Sequence, residues 1–375
     1  MVLLWVDMAR VSLKAAGASL IILCGAMTAE AQNYLVNDEH VHITNYIQEG
    51  TDIHKFLRIM GDKVGRAALF GIPLQQQWSF PNSGNFAPTY YLQTDAPLYY
   101  YSFTDAAIAM MYKSLTKEEQ ARFDPMITGF NPTDMYAADH VRRVLRTFPG
   151  VFEGIGEFSI HKEFVSSKVS GETASLLNPA LDRLLDFAGQ VGLLVILHCD
   201  IDVPFAKPGS RPAYLDQMKD LLSRHPNTTI IWAHTGMGRV VRPVNGHAAE
   251  LETILKDPRF HNVYFDISWD EVAKYLTASP ESITISANLI NRYPDRFLFG
   301  SDEVAPSSQE SYMKVFEQYG PLWQKLTPEA NEKVRKKNYE GLFDEARAKV
   351  RAWERRDAAE QLQPVQADSS NFQPR

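Results

Sequence analysis

Five short stretches place metal-binding or acid–base side chains at the ends of apolar runs. Asp38-Glu39-His40-Val41-His42 closes the first run, Glu157 closes residues 151–157, and His198 closes residues 193–198. His234 ends residues 229–234 and Asp302 ends residues 297–302. An ionisable group on a buried strand is costly unless it is paired or metallated. Imidazole and carboxylate together suit a divalent ion, and an open coordination position lets such an ion activate water. His40 and His42 stand two apart, so on a strand both side chains share one face.

The ordered set resembles the amidohydrolase superfamily of metal-dependent TIM-barrel enzymes, and within it the amidohydrolase-related family, over residues 33–345. The residues that carry the resemblance are Asp38-x-His40-x-His42 on the first strand, His198 on the fifth, His234 in His-Thr-Gly on the sixth, and Gly300-Ser301-Asp302 on the eighth. The resemblance implies that His40, His42, His198 and Asp302 hold a divalent ion, zinc being expected. It also implies that Asp302 takes the proton of the attacking water. His234 is similar to a histidine that polarises substrate or moves protons, and it becomes a ligand if a second ion binds. Glu157 looks like the bridging carboxylate of two-metal members, or else a carboxylate that orients a histidine ligand. The number of ions, one or two, stays open. Asp302 is followed by Glu303-Val304-Ala305-Pro306, whereas relatives often have a proline sooner, a departure that bears on substrate preference.

The elements that must position these residues can be read from apolar patterning. Strands are expected at 34–42, 67–72, 124–130, 151–157, 193–198, 228–234, 262–268 and 296–302. Most are continuous apolar runs, as strands covered on both faces should be. Helices with apolar residues at three- and four-residue spacing are expected at 139–147, 174–191, 213–225 and 281–292, and further ones at 308–318, 328–339 and 341–358. Eightfold strand–helix alternation predicts an α/β fold, a (β/α)8 barrel whose catalytic residues lie at the C-terminal ends of the strands. Residues 75–104 break the rhythm with Trp78, Phe80, Phe86 and several tyrosines, and predict a lid or pocket wall on the catalytic face, or else a subunit contact or structural cover. Lys162, Lys207, Arg211, Arg239 and Arg242 follow strands on that face and suit an anionic group. Arg211, Arg239, Lys162 and Trp78 are the candidates for substrate contact.

The chain of 375 residues, 45% of them apolar, can bury a large single core, and its net charge of −7 argues against nucleic-acid binding. Arg10, Lys14, an apolar run to Met27 and Ala29-Glu30-Ala31 read as a signal peptide, residues 1–31, too short in its apolar part to anchor in a membrane. The barrel domain is then 32–358, and the polar tail 359–375 reads as disordered. Cleavage removes Cys24 and leaves Cys199, which reads as a small buried hydrophobe. The expected protein is an exported, metal-dependent hydrolase of an amide, ester or lactone bond in a small, anionic substrate; self-association is left open. The alternatives are a metal-dependent decarboxylase of an aromatic or related acid, and a catalytically silent ligand-binding barrel.

Overall fold

Runs of Val, Ile, Leu and Phe form strands here because both faces are covered, so neither face needs a polar side chain. The computed structural model describes residues 34–362. Its main sheet holds β1 (Val36–His42), β2 (Val64–Phe70), β3 (Phe123–Ile127), β4 (Gly154–His161), β5 (Leu194–Cys199), β6 (Ile230–Trp232), β7 (Val263–Asp266), β8 (Phe297–Leu298) and β9 (Glu303–Val304). Every pairing is parallel, in the order β8-β7-β6-β5-β4-β3-β2-β1-β9.

The eighth strand, expected at 296–302, is shorter: only Phe297–Leu298 forms β8, and β9 follows beyond a kink at Asp302. Asp302 and Ala305 take φ of 52° and 50°, a left-handed conformation that a strand ladder cannot contain. The segment still closes the barrel. Ile267 N–H donates to Leu298 O on the β7 side, while Asp302 N–H donates to His40 O and Ala305 N–H to His42 O on the β1 side. The sheet edges are thereby joined into an α/β barrel.

Side-chain alternation divides the core. Leu194 and Ile196 of β5 belong to an inner cluster with Ala68, Phe70, Met126, Ile231 and Leu298, whereas Val195, Leu197 and Cys199 belong to the layer under the helices. His198 continues the inner series. Cys199 is wholly buried on the other face, where burial pushes its thiol pKa far up, so it serves as a small hydrophobe. Tyr339, Phe343 and Ala346 of the last helix, Asn338–Gln361, pack into the inner cluster. The start of that helix is joined to Pro328–Glu332 through a π-helical stretch, Lys333–Lys337, so the break expected near residue 340 is absent. It also runs past 358, so residues 359–361 are helical; residues 363–375 of the expected tail, like the expected signal peptide, lie outside the described residues.

Residues 75–104 are ordered. Leu74–Gln76 pairs antiparallel with Leu98–Tyr100, and Tyr46, Ile72, Leu74, Tyr91, Leu98 and Val165 form a small apolar cluster beneath them. No helix among the described residues is long and apolar enough to cross a membrane.

Candidate metal centre

His40 and His42 project from the end of β1 with ring centroids 5.3 Å apart. Asp38, two residues earlier, faces away from them. Its Oδ1 accepts from Ser301 N–H at 2.8 Å and its Oδ2 from Tyr312 O–H at 2.8 Å, which fixes the segment carrying Asp302. Gly300 allows the close crossing, because a Cβ there would lie 2.5 Å from His40 Cβ.

Glu157 does not end its strand as expected. β4 continues to His161 through a register shift between Ile155 and Phe158, so Glu157 sits mid-strand. Gly156 before it has φ of 125°, and a Cβ there would lie 2.3 Å from Ile196 O. His234 also differs from expectation. It lies just past β6 in a buried left-handed turn, with φ/ψ of 57°/19° at His234 and 51°/28° at Thr235. Such backbone costs roughly 1–2 kcal/mol per residue, so its surroundings must hold it.

These elements converge. Glu157 Oε2 lies 3.3 Å from His42 Nε2 and 3.9 Å from His40 Nε2. Its Oε1 lies 2.5 Å from His198 Nδ1 and 3.4 Å from His234 Nε2. Asp302 Oδ1 is 3.4 Å from His40 Nε2 and 3.1 Å from His42 Nε2. Ligand atoms about 2.0–2.1 Å from a tetrahedral ion stand about 3.3 Å from one another, close to the separations of His42 Nε2 from Glu157 and Asp302, of His40 Nε2 from Asp302 and of His234 Nε2 from Glu157.

The outer hydrogen bonds fix where the lone pairs point. His42 Nδ1 faces the Gly71 carbonyl at 3.1 Å and His40 Nδ1 faces Asp266 Oδ2 at 3.2 Å, so both Nδ1 atoms carry the proton. Ser268 Oγ donates to Asp266 Oδ1 and therefore accepts from His234 Nδ1 at 2.7 Å. In the neutral rings each Nε2 is then a lone pair, and among the described residues those of His40, His42 and His234 are buried without a hydrogen-bond partner. Three orphaned lone pairs beside two carboxylates fit divalent ions. His198 is arranged differently, with Nδ1 on Glu157 and Nε2 3.0 Å from Asp200 Oδ1.

The donors divide into His40, His42 and Asp302 on one side and His198, His234 and Glu157 on the other. His40, His234 and Asp266 also lie close together, but the Asp266 oxygens are engaged by His40 Nδ1, Ser268 and His234 N–H, so Asp266 braces the two histidines from behind. Charge agrees with a cation site. Burial alone would raise Glu157, yet Lys162 and His198 hold it far below the usual carboxylate range. Asp302 is likewise held low, against its burial, by His40, His42 and His234. Burial would depress His40, but Asp302, Asp266 and Glu157 raise it well above an ordinary histidine, as an anionic pocket requires.

Of the proposed substrate contacts, the structure brings Lys162 to the centre, with Nζ 3.3 Å from Glu157 Oε2. Arg239 lies at the rim. Its Nη1 donates to Tyr90 O–H at 2.6 Å, its guanidinium covers Trp269 at 5.5 Å, and its N–H donates to Glu163, which also accepts from Tyr91 O–H. Tyr90 and Tyr91 thus tie residues 75–104 over the catalytic face. Arg211 is exposed and pairs with Asp216, and Trp78 is 57% exposed with its N–H on Gly84 O. No contact among the described residues joins either to the histidines. Lys207 and Arg242 line a surface crevice of about 800 Å³. The sequence reading does not single out Asp266, Ser268 or Asp200, although Asp266 ends its strand and His198 stands one residue before the end of its own.

The amidohydrolase family model matches residues 38–344. A solved apo structure from Agrobacterium tumefaciens is 13% identical over 82% of this chain and 93% of its own, with a TM-score of 0.50, and shares the fold. A dihydroorotase from Campylobacter jejuni is 14% identical over 83% of this chain and 84% of its own, with a TM-score of 0.49. An amidohydrolase from Burkholderia multivorans with bound zinc is 11% identical over 83% and 99%, also at 0.49. No curated protein matches.

Proposed function

The chain belongs to the amidohydrolase family, and on that premise we propose that it is an exported two-zinc hydrolase that opens an amide, ester or lactone bond in a small anionic molecule. A metal-dependent hydrolase or a related activity follows from the family itself. The observation that carries the finer reading is Glu157, which offers Oε2 to the His40–His42 side and Oε1 to the His198–His234 side. In this reading His40, His42 and Asp302 would hold one ion, His198 and His234 would hold the other, and Glu157 would be shared by both sets. Divalent ions in such a cradle lower the pKa of water and polarise a carbonyl group.

The chain's own residues do the rest. Asp302 Oδ1 belongs to the first donor set, while Oδ2 lies 4.0 Å from His234 Nε2 and is free to take a proton. The side chain of Asp302 is 7% exposed, against 2% or less for the histidines and Glu157, so substrate approaches past Asp302. Its Oδ2 accepts the proton of the attacking water and returns it to the departing oxygen or nitrogen. Lys162 Nζ makes long contacts with Glu157, at 3.3 and 3.4 Å, and stands 6.0 Å over the Trp269 ring, so it keeps donor capacity for an anionic substrate group. His234 acts here as a ligand, so proton transfer rests on Asp302. Export rests on the N-terminal sequence pattern alone.

Screening amides, esters, lactones and aromatic carboxylates with the zinc-loaded protein, with Asp302→Asn as control, tests the reading. Acyl cleavage that Asp302→Asn abolishes is the expected result. Release of carbon dioxide from an aromatic acid without any acyl cleavage identifies a decarboxylase, and bound metal with no turnover of any kind identifies a silent barrel.

A further inference from the structure

The turn that delivers His234 is left-handed at three successive residues, with φ of 57°, 51° and 75° at His234, Thr235 and Gly236. Two of these are not glycine, and one is β-branched, a residue type for which this conformation is an outlier. The turn is held by Asp266, which accepts the His234 N–H, and by its own carbonyls. His234 O accepts from Met237 N–H at 3.0 Å and from the Thr235 hydroxyl at 2.6 Å, and Gly236 O accepts from Ile201 N–H at 2.7 Å. Thr235 O is left to a side chain, His247 Nε2, at 3.0 Å. Because a carbonyl can only accept, His247 carries its proton on Nε2.

We infer that His247, on the helix His247–Lys256 and outside every motif of the metal centre, is a positioning residue that sets the place of His234 by holding Thr235 O. This rests on the reading of His234 as a ligand. His247 is 9% exposed, and its burial pulls its pKa down to about 4, so it stays neutral with the Nε2–H donor in place. Without that donor the buried Thr235 carbonyl is orphaned, and the left-handed turn loses the one bond that originates outside it at its central residue. Relaxation of Thr235 toward ordinary backbone angles turns His234 Nε2 away from Glu157 Oε1.

Glutamine and asparagine separate this role from simple packing. A glutamine amide reaches about as far as Nε2 and can donate to Thr235 O, whereas an asparagine amide reaches only as far as Nδ1. The test measures zinc affinity by chelator competition in the wild type, His247→Gln, His247→Asn and His247→Leu, together with hydrogen exchange of residues 230–240 in the zinc-free proteins. The expected result is that His247→Asn and His247→Leu weaken the ion on the His198–His234 side about 10–100-fold, the range for lost partners behind metal ligands. The ion on the His40–His42 side should hold, and His247→Gln should stay within about threefold of the wild type at both sites. Exchange should quicken in the asparagine and leucine variants only. Unchanged affinities in asparagine and leucine variants, or equal losses in glutamine and asparagine, overturn the inference. A wild type that binds no zinc defeats the metal reading instead, and the exchange comparison then decides alone: equal protection in the glutamine and asparagine variants overturns the role of His247. If His247→Leu does not fold, the glutamine–asparagine pair carries the test.

Discussion

Asp266 Oδ2 stands 3.2 Å behind His40 Nδ1, and the other oxygen of the same carboxylate accepts the backbone N–H of His234 at 2.5 Å. One carboxylate at the end of β7 therefore fixes histidines of both donor sets. Burial would raise its pKa, but His40 and His234 keep it well below the usual carboxylate range, so it stays ionised and can accept from both.

Replacing Asp266 by alanine should lower zinc affinity about 10–100-fold, because His40 loses the partner that fixes its tautomer. Asparagine should lose less, since its carbonyl still accepts one bond. Chelator competition reads both, and equal affinity in Asp266→Ala and wild type would remove Asp266 from the account.

A similar argument applies at the other end of the barrel. Phe343 is fully buried and stacks on Tyr339 with centroids 4.2 Å apart, and Tyr339 O–H donates to Asp124 at 2.6 Å. Truncation to alanine leaves a cavity in the inner cluster, and Phe343→Ala should cost about 3–5 kcal/mol in denaturant unfolding. A loss under about 1 kcal/mol would mean that the last helix is not part of the barrel core.

Acid should destabilise the fold through His247. Its folded pKa of about 4 lies below the value of 6.5 in the unfolded chain, so between these values the unfolded state binds more protons. The stability is fully present above pH 6.5 and is lost as pH falls toward 4. From pH 7 to pH 5 the loss should be about 2 kcal/mol. Unfolding of zinc-free protein at both pH values, with His247→Gln as reference, measures it; parallel pH dependence in the two proteins would contradict the assignment. His161, stacked on Tyr214 at 3.7 Å and likewise pushed down to about 4 by burial, acts in the same direction.

Lys162→Gln should raise KM about tenfold or more for a carboxylate-bearing substrate while leaving its neutral congener within about threefold, as loss of a charge-assisted hydrogen bond requires. Equal effects on both congeners would assign Lys162 to Glu157 alone.

Much of the centre was legible because a buried strand tolerates an ionisable residue only for a reason. His198 follows Leu194 and Ile196 on the inner face, and His40 and His42 share a face by the same alternation. The barrel was legible from the eight apolar runs. What escaped depended on backbone that departs from a ladder. Glu157 sits mid-strand because β4 shifts register around it, His234 leaves its strand through a left-handed turn, and the eighth strand stops at Leu298, short of the kink at Asp302. Arg211 and Trp78 were placed by nearness in sequence to strand ends, but long loops can carry such residues outward, and here they are exposed. The link from His247 to Thr235 joins residues twelve apart through a bend that no periodicity encodes.

The central claim is that Glu157 joins two ion sites, and ion stoichiometry tests it most directly. Zinc-loaded wild type, freed of loose metal and analysed for elemental content, should hold close to two ions per chain, and Glu157→Ala should hold at most one. A wild type that takes up less than about a tenth of an ion, or one ion that Glu157→Ala retains undiminished, would contradict it.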